Sequence, residues 1–317
     1  MRALLIVVSC AVAAQAAADY PDRPIRLVVP QAAGSATDNI ARVVAPEMAK
    51  ILGQPVVVDN RPGGALTVGI DAVAKAAPDG YTIGQGPVGA LAITRHMVAK
   101  LPYDIERDLQ PVALITTGYM LLAVSPRTPF QSVGELIAYA KKNPGKLSNA
   151  SSSNGSPGHV SGELFKYMAG VDIVHVPYKG GAPAIADLIA GQVELMFEST
   201  NSIAPHVKNG RVRALAVTGT KRATSLPEVP TMIEAGVPGY EVTAWTGVIA
   251  PAGLPRPVLD RLNAAVNAAI SDPTTKDRLV QLGSEGGGGT PEDYATLIRR
   301  DSAKWAEVVK RSGAKID

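Results

Sequence analysis

Hydrophobic and polar residues follow two alternating periodicities along the chain. The run Ile25–Val29 is apolar apart from one arginine, as in a strand buried within a sheet. Across residues 40–52, apolar side chains recur every three or four positions, which is typical of an amphipathic helix. Runs of these two kinds alternate along the chain, so the pattern predicts an α/β fold with largely parallel sheets.

Further strands and helix starts follow from the same criteria. Strands are predicted at residues 56–58, 81–83, 173–176, 195–197 and 214–217. One helix is predicted to begin after Ser132, because Ser132 and Glu135 have the spacing of a capping box. The last helix is predicted to begin at Pro291, directly after the cap residue Thr290.

Two long apolar segments suggest how the chain divides into domains. Residues 111–124 and 242–250 each have the length of a strand that crosses from one domain to another. Two crossings imply a discontinuous first domain, residues 19–118 plus 246–317, and a second domain, residues 119–245. A cleft is then expected between the two domains.

The N-terminus has the pattern of a secretory signal peptide. The pair Met1-Arg2 is followed by an apolar stretch and by small residues up to Ala18, which predicts a signal peptide over residues 1–18 cleaved near Ala18. A membrane anchor is the alternative, but the stretch is short for a bilayer span. The single cysteine, Cys10, lies in this segment, with too little apolar chain before it to favour lipidation. We therefore expect a periplasmic protein without disulfides.

Composition narrows the class of protein. With 317 residues, of which 46% are hydrophobic and 19% charged, the chain can bury the cores of two domains and is not a disordered polymer. The formal net charge of +3 is spread along the chain without a cluster of lysines and arginines. Nucleic acid is therefore not an expected partner.

Two loops rich in glycine and serine each follow a predicted strand and precede a predicted helix. The candidate ligand-binding residues of the first loop are Gln31, Ala33, Gly34, Ser35, Thr37 and Asp38, and those of the second are Ser151, Ser152, Asn154, Gly155, Ser156 and His159. Helix N-termini bind anions through unpaired N–H groups, so one loop in each domain would hold a carboxylate from both sides. The alternative is that Ser35, Asp38 and Ser156 are ordinary helix caps.

Other candidates follow neighbouring strands. Tyr178 and Lys179 lie between a strand and a helix, and Lys179 is either a cation for an anionic ligand or a solvated loop residue. Glu198 ends a strand and would accept from a ligand amine or hydroxyl, or from a group of the other domain. Trp245, in the second crossing, is either a wall of the cleft or a packing residue. His206 is expected at the surface.

Enzyme motifs are missing from the sequence. It has no phosphate-binding loop, dinucleotide fingerprint or nucleophile elbow, and its four histidines lack metal-ligand spacing. We expect no metal and no cofactor. Ser156 and His159 form the one loop pair that an exported hydrolase would use as nucleophile and base.

Several motifs, in order, resemble those of the Bug-type extracytoplasmic solute-binding receptors of tripartite tricarboxylate transporters. They lie at residues 20–30, 53–63, 77–82, 174–180, 213–218 and 227–231. The resemblance implies a two-domain Venus-flytrap fold, similar to type II periplasmic binding proteins, with two crossing strands as the hinge. It implies a monomer without catalysis that takes a small organic carboxylate to membrane permease subunits. The carboxylate would be held by N–H groups and hydroxyls of the loops at 33–38 and 151–156.

The chain departs from the family pattern at positions that matter for the ligand. Gln31 stands where the family has an aromatic residue, Ser35 where it has a second glycine, and the segment containing Val88 is less polar than usual. A larger or more polar ligand than the simplest family ligands is therefore expected. An orphan sensor that reports to a signalling partner is the alternative function.

Overall fold

The computed structural model describes residues 20–152, 156–178 and 180–312, so the predicted signal peptide and Cys10 lie outside the described residues. The strands of the described chain are β1 (Ile25–Val29), β2 (Val56–Asn60), β3 (Thr82–Pro87), β4 (Leu109–Val124), β5 (Ser148–Ser151), β6 (Val174–Pro177), β7 (Leu195–Ser199), β8 (Arg213–Val217), β9 (Thr243–Pro251) and β10 (Ser284–Glu285).

Helices connect most of these strands. They are α1 (Ala36–Leu52), α2 (Thr67–Ala74), α3 (Thr94–Met97), α4 (Val133–Lys142), α5 (Pro157–Ala169), α6 (Gly181–Ala190), α7 (Thr200–Lys208), α8 (Arg256–Ser271), α9 (Pro273–Gln281) and α10 (Pro291–Ser312). A short 3-10 turn, Gly64–Leu66, precedes α2, and a π-helical turn, Gly89–Ile93, precedes α3. The predicted alternation of strands and helices is confirmed.

All the strands belong to one curled, mixed sheet in the order β2-β1-β3-β9-β4-β7-β5-β6, with β8 and β10 each paired to β4. The pairs of β1 with β2 and β3, and of β5 with β6 and β7, are parallel. All pairs made by β4 and β9 are antiparallel. The expectation of largely parallel sheets is thus wrong for the centre, because the two long strands run against their neighbours.

Strand β4 joins two half-sheets. From Leu109 to Tyr119 it pairs with β9, and from Met120 to Val124 it pairs with β7. We call β1, β2, β3, β9, β10 and this first part of β4 the first half-sheet, and β5 to β8 with the second part of β4 the second half-sheet. The long apolar run at residues 111–124 is therefore confirmed as a strand that crosses between them.

The second crossing is shorter than the sequence predicted. Strand β9 pairs with β3 and β4 within the first half-sheet along its length. The link to the second half-sheet lies just before it, where the Val242 N–H donates to the Thr218 carbonyl and the Thr218 hydroxyl donates to the Val242 carbonyl. The chain crosses at Val242 and Thr243, because the rest of the apolar run is needed to complete the first half-sheet.

Local capping agrees with the sequence signals. Ser132 Oγ accepts a hydrogen bond from the N–H of Glu135, as in the predicted cap of α4. Thr290 Oγ1 accepts from the N–H of Asp293 at the start of α10. Gly53 ends α1 in the left-handed conformation, φ 76°, which glycine adopts at little cost.

Buried apolar side chains pack helices α1, α8 and α10 against the sheet. Ala41, Val44 and Met48 of α1 are fully buried in a cluster with β1 and α8. Helix α10 buries Trp305 in a cluster that also contains Phe165 of α5 and Phe197 of β7. The C-terminal helix therefore packs against elements of both half-sheets. No helix within the described residues is both long and apolar enough to cross a membrane.

Candidate functional site

A cavity of about 990 Å³ opens between the two half-sheets. Its polar lining side chains are those of Gln31, Ser35, Thr37, Thr94, Thr116, Thr117, Tyr119, Ser152, Ser156, Glu198, Ser199, Ser202, His206, Arg211, Thr246 and Ser284. Apolar wall is supplied mainly by Ile40, Leu66, Val88, Ile185 and Ile189, with Trp245 beside them. The cavity is therefore mostly uncharged, with polar groups arriving from both half-sheets.

The first predicted loop brings the N-terminus of α1 to this cavity. Ser35 Oγ accepts from the N–H of Asp38 at 3.2 Å and so caps the helix. Gly34, at φ 81°, turns the chain into the cap, and Gly34, Ser35 and Thr37 line the cavity together with Gln31. The partial positive charge of a 17-residue helix is thus directed at the cavity.

Asp38 anchors this loop through hydrogen bonds and does not line the cavity. Its carboxylate is buried and accepts from the N–H of Gly34 at 2.8 Å, from Arg42 Nε at 2.9 Å and from Asn60 Nδ2 at 2.9 Å. Burial by itself would raise the pKa of Asp38, but the hydrogen bonds from Arg42, Gly34 and Asn60 outweigh it and hold the pKa below its usual value. Asp38 therefore stays charged and fixes the loop conformation.

The second loop brings the N-terminus of α5 to the same cavity. Ser156 Oγ accepts from the N–H of His159 at 3.3 Å, and Pro157 occupies the first helical position. Ser152, Ser156 and Pro157 line the cavity. Gly158 lies so close to the Phe197 carbonyl that a Cβ would overlap it, so α5 approaches β7 without a side chain between them.

His159 points away from the cavity. Its ring stacks on that of His175 with the centroids 3.8 Å apart and the planes 12° from parallel. Ser151 Oγ is hydrogen-bonded to His175 Nε2 at 2.6 Å and is fully buried. The pKa of both imidazoles is lowered to about 4, mainly by burial and, for His175, also by charge on His159. His159 and Ser151 therefore support the second loop and do not line the cavity.

Ser156 and His159, the pair that a hydrolase would use as nucleophile and base, make other contacts in this arrangement. Ser156 uses its hydroxyl as a helix cap, bonded to the main chain of His159, while the ring of His159 lies against His175. A nucleophile and its base would need a hydrogen bond between side chains.

The remaining predicted residues divide between the cavity and its surroundings. Val88 and Glu198 line the cavity. Tyr178 does not, because its hydroxyl donates to Asp187 Oδ2 at 2.7 Å on the following helix. Ala33 is exposed and does not line the cavity. Asn154, Gly155 and Lys179 lie outside the described residues.

Glu198 is positioned at the end of β7. Its Oε1 accepts from the N–H of Ser199 at 2.8 Å. The other oxygen lies over the first residue of α6, where a Cβ built on Gly181 would be 2.9 Å from it. Burial raises the pKa of Glu198.

Trp245 is both a wall of the cavity and a packing residue. It lines the cavity, and its Nε1 donates to the buried carboxylate of Asp301 at 2.6 Å. Its ring also packs edge-on against Tyr294, with the centroids 5.7 Å apart. The indole is thus both a wall of the cavity and a link between β9 and α10.

Several lining residues escaped the sequence analysis. His206, expected at the surface, lines the cavity together with Arg211, since His206 lies in the last turn of α7 and Arg211 comes shortly after the helix ends. Thr116 and Thr117 come from β4 where it passes between the half-sheets. In the sequence, these two threonines are visible only as polar residues within the apolar run at residues 111–124.

A strained turn also forms part of the wall. Ala65 and Leu66 line the cavity with left-handed backbone, φ 51° and φ 78°. Non-glycine residues rarely adopt this conformation, and such strain is concentrated at functional sites. Within the described chain, no cluster of three or more histidine, cysteine, aspartate or glutamate side chains could hold a metal ion.

Comparison with known proteins connects this geometry to a family. The family model described as "Tripartite tricarboxylate transporter family receptor" matches residues 40–314. The chain is 36% identical to the protein BugT of Bordetella pertussis, across 98% of this chain and 96% of BugT.

Two solved structures are also similar over most of the chain. One is R. palustris Rpa4515 with adipate, at 39% identity and a TM-score of 0.83, covering 94% of this chain and all of that one. The other is MatC from Rhodopseudomonas palustris with bound malate, at 35% identity and a TM-score of 0.79, covering 92% and 100%. The two-domain solute-binding fold and the resemblance to Bug-type receptors are both confirmed. The chain belongs to the receptor family of the tripartite tricarboxylate transporters.

Proposed function

We propose that this protein is an exported periplasmic receptor that captures a small organic carboxylate in its cavity and delivers it to the membrane permease subunits of a tripartite tricarboxylate-type transporter. It acts as a monomer and by binding alone, without catalysis. Residues 1–18 are the signal peptide that directs its export, cleaved near Ala18.

One observation carries the proposal. The N-termini of α1 and α5, which belong to different half-sheets, line the same cavity with their cap residues Ser35 and Ser156. Each terminus has unpaired N–H groups and a partial positive charge, and the two together can hold one carboxylate from opposite sides. The structures that contain adipate and malate support a carboxylate as the ligand class.

The contacts to the ligand come from both loops. Main-chain N–H groups and hydroxyls of Gly34, Ser35 and Thr37 bind it on one side, and those of Ser152 and Ser156 on the other. Asn154 and Gly155 of the second loop, and Lys179, complete this set. Gln31 stands where the family has an aromatic residue, so an amide replaces an aromatic wall and leaves room for a larger or more polar ligand. Val88 contacts the same ligand.

Binding is coupled to a hinge motion between two domains. The first domain consists of residues 19–118 and 246–317, and the second of residues 119–245. The change of partner along β4 between Tyr119 and Met120 supports a division near residue 119. The link between Val242 and Thr218 supports a second passage of the chain just before the boundary at residue 246. A ligand that touches both loops stabilises the closed form and so shifts the population toward it.

The proposal is tested by thermal denaturation of the exported, processed protein with adipate, malate, succinate or citrate. A ligand at a hundred times its dissociation constant stabilises the fold by about 2.7 kcal/mol. We expect at least one of these acids to raise the melting temperature by several degrees. Absence of a shift with every acid would contradict the carboxylate receptor.

Three serine caps provide matched variants. Ser35→Ala and Ser156→Ala remove caps that face the cavity, whereas Ser132→Ala removes the cap of α4, which does not line it. Each loses about 1 kcal/mol of stability. Only the first two should weaken acid binding, and an equal loss in Ser132→Ala would count against the proposed clamp.

A further inference from the structure

The cavity of a receptor for acids contains one acidic side chain. Among the described residues that line it, Glu198 is the only carboxylate, and Arg211 is the only lysine or arginine. A carboxylate in the wall repels a carboxylate ligand. Its presence therefore has a cost for binding unless the ligand also carries a group that Glu198 attracts.

Glu198 has little compensation from the protein. One oxygen accepts from the N–H of the neighbouring Ser199, and within the described chain Glu198 forms no ion pair. Burial raises the pKa of Glu198, since the wall of the cavity solvates the charged form poorly. A cationic ligand group would stabilise this charge, which no described side chain does through an ion pair.

Glu198 lies next to a helix N-terminus, so a group that favours cations adjoins one that favours anions. Gly158, at the N-terminus of α5, lies against the carbonyl of Phe197, the residue directly before Glu198. This N-terminus favours a negative group, and the adjacent carboxylate favours a positive one. A ligand with a carboxylate and an ammonium group on neighbouring atoms matches both.

The backbone of α6 makes room for this carboxylate. Glu198 Oε2 extends over Gly181, where any side chain would collide with it, and Gly180 before it has φ 121°. The helix has no side-chain cap at Gly180. Gly181 thus leaves room for the Glu198 carboxylate at the cavity wall.

We propose that Glu198 binds an ammonium group of the ligand, so that this receptor selects an amino acid over the corresponding acid that lacks the amino group. The inference rests on the proposed function, because it takes for granted that the two helix N-termini hold the carboxylate.

Pairs of acids that differ only by the amino group test it. Isothermal titration calorimetry compares succinate with aspartate, glutarate with glutamate, and adipate with 2-aminoadipate, with malate added as the hydroxyl counterpart of aspartate. For the wild type, we expect at least one amino acid to bind about tenfold or more tightly than its parent acid, as for a charge-assisted hydrogen bond.

Glu198→Gln removes the charge and keeps an acceptor. It should abolish the preference for the amino acid and leave the parent acid bound equally or more tightly. Glu228→Gln is the charge-matched control, since Glu228 is exposed and does not line this cavity. If Glu198→Gln does not fold, Gly181→Ala displaces the same carboxylate and serves instead.

The outcomes separate the two proposals. Binding of parent acids without a preference for an amino acid overturns the role of Glu198 and leaves the proposed function standing. The ammonium assignment is also overturned if Glu198→Gln weakens the binding of both members of a pair equally. It is overturned as well if Glu198→Gln still binds malate and aspartate more tightly than succinate. If no acid of any pair binds to the wild type, the proposed function itself fails.

Discussion

The carboxylate of Glu198 lies directly over Gly181, with 2.9 Å between Oε2 and the position that a Cβ on Gly181 would take. This contact joins the end of β7 to the start of α6 at the wall of the cavity. The nearest atom belongs to the end of a flexible side chain, so the position tolerates a methyl group only if Glu198 moves.

Gly181→Ala should therefore change binding more than stability. We expect the free energy of unfolding to stay within about 1 kcal/mol of the wild type, since alanine favours the helix while Glu198 is displaced. Amino acid affinity should fall by about tenfold, as when a charged hydrogen bond is lost. Urea denaturation and calorimetry measure the two effects. Gly134→Ala, near the start of α4, is the control, since its Cβ would come no closer than 4.0 Å to Ser132 Oγ.

Asp38→Asn should weaken both the fold and the site. The buried carboxylate accepts three hydrogen bonds that hold the first loop, and an amide cannot accept from all three donors. We expect a loss of about 2 kcal/mol in urea denaturation and weaker binding of any carboxylate ligand.

The same helix offers a control for Asp38→Asn. Glu47 pairs with Lys50 at the surface, where such pairs contribute less than about 1 kcal/mol. Glu47→Gln should bind ligand as the wild type does. An Asp38→Asn protein with unchanged affinity would show that the loop does not need this anchor.

The stacked histidines predict a loss of stability in mild acid. Their pKa values are lowered to about 4 in the folded protein, against 6.5 for an ordinary histidine. Between these values the unfolded chain binds more protons than the folded one, so the stability present above pH 6.5 declines as the pH falls toward 4. Glu163 and Lys166, which also face these rings, act in opposite directions on His175.

Urea denaturation at a series of pH values from 7.5 to 4 measures this effect, with an unchanged dependence on urea as the check for two-state unfolding. In His159→Gln and His175→Gln the decline over that interval should be smaller. An equally steep decline in both variants would assign it to other groups.

Trp245 should report ligand binding by its fluorescence. The protein has two tryptophans, of which Trp245 lines the cavity and Trp305 is buried in the core. A ligand in the cavity lies beside Trp245 and not beside Trp305, so its direct effect is expected on Trp245. Addition of a bound acid should alter the emission of the wild type and of Trp305→Phe. A full signal in Trp245→Phe would contradict this assignment.

Much of the fold was accessible from local sequence signals. The apolar run at Ile25–Val29, the cap at Ser132 and the glycine at position 53 each act within a few residues, so the sequence predicts them directly. The positions of the two glycine- and serine-rich loops between strand and helix were predictable for the same reason.

The roles of individual side chains within those loops were not. Ser156 and His159 are three residues apart, yet one lines the cavity and the other stacks on His175, which is remote in sequence. His206 and Arg211 reach the cavity only because α7 packs beside β4. Such contacts depend on how distant elements pack.

The sequence by itself determined the alternation of strands and helices, the two helix starts with their anion-binding potential, and the motifs of the receptor family. Only the tertiary structure decided that both helix N-termini reach one cavity, that Asp38 and His159 lie behind it, and that Glu198 lies over Gly181. The physical reason is range: periodicity and capping act within a few residues, whereas a binding site is made by contacts between residues far apart in the chain.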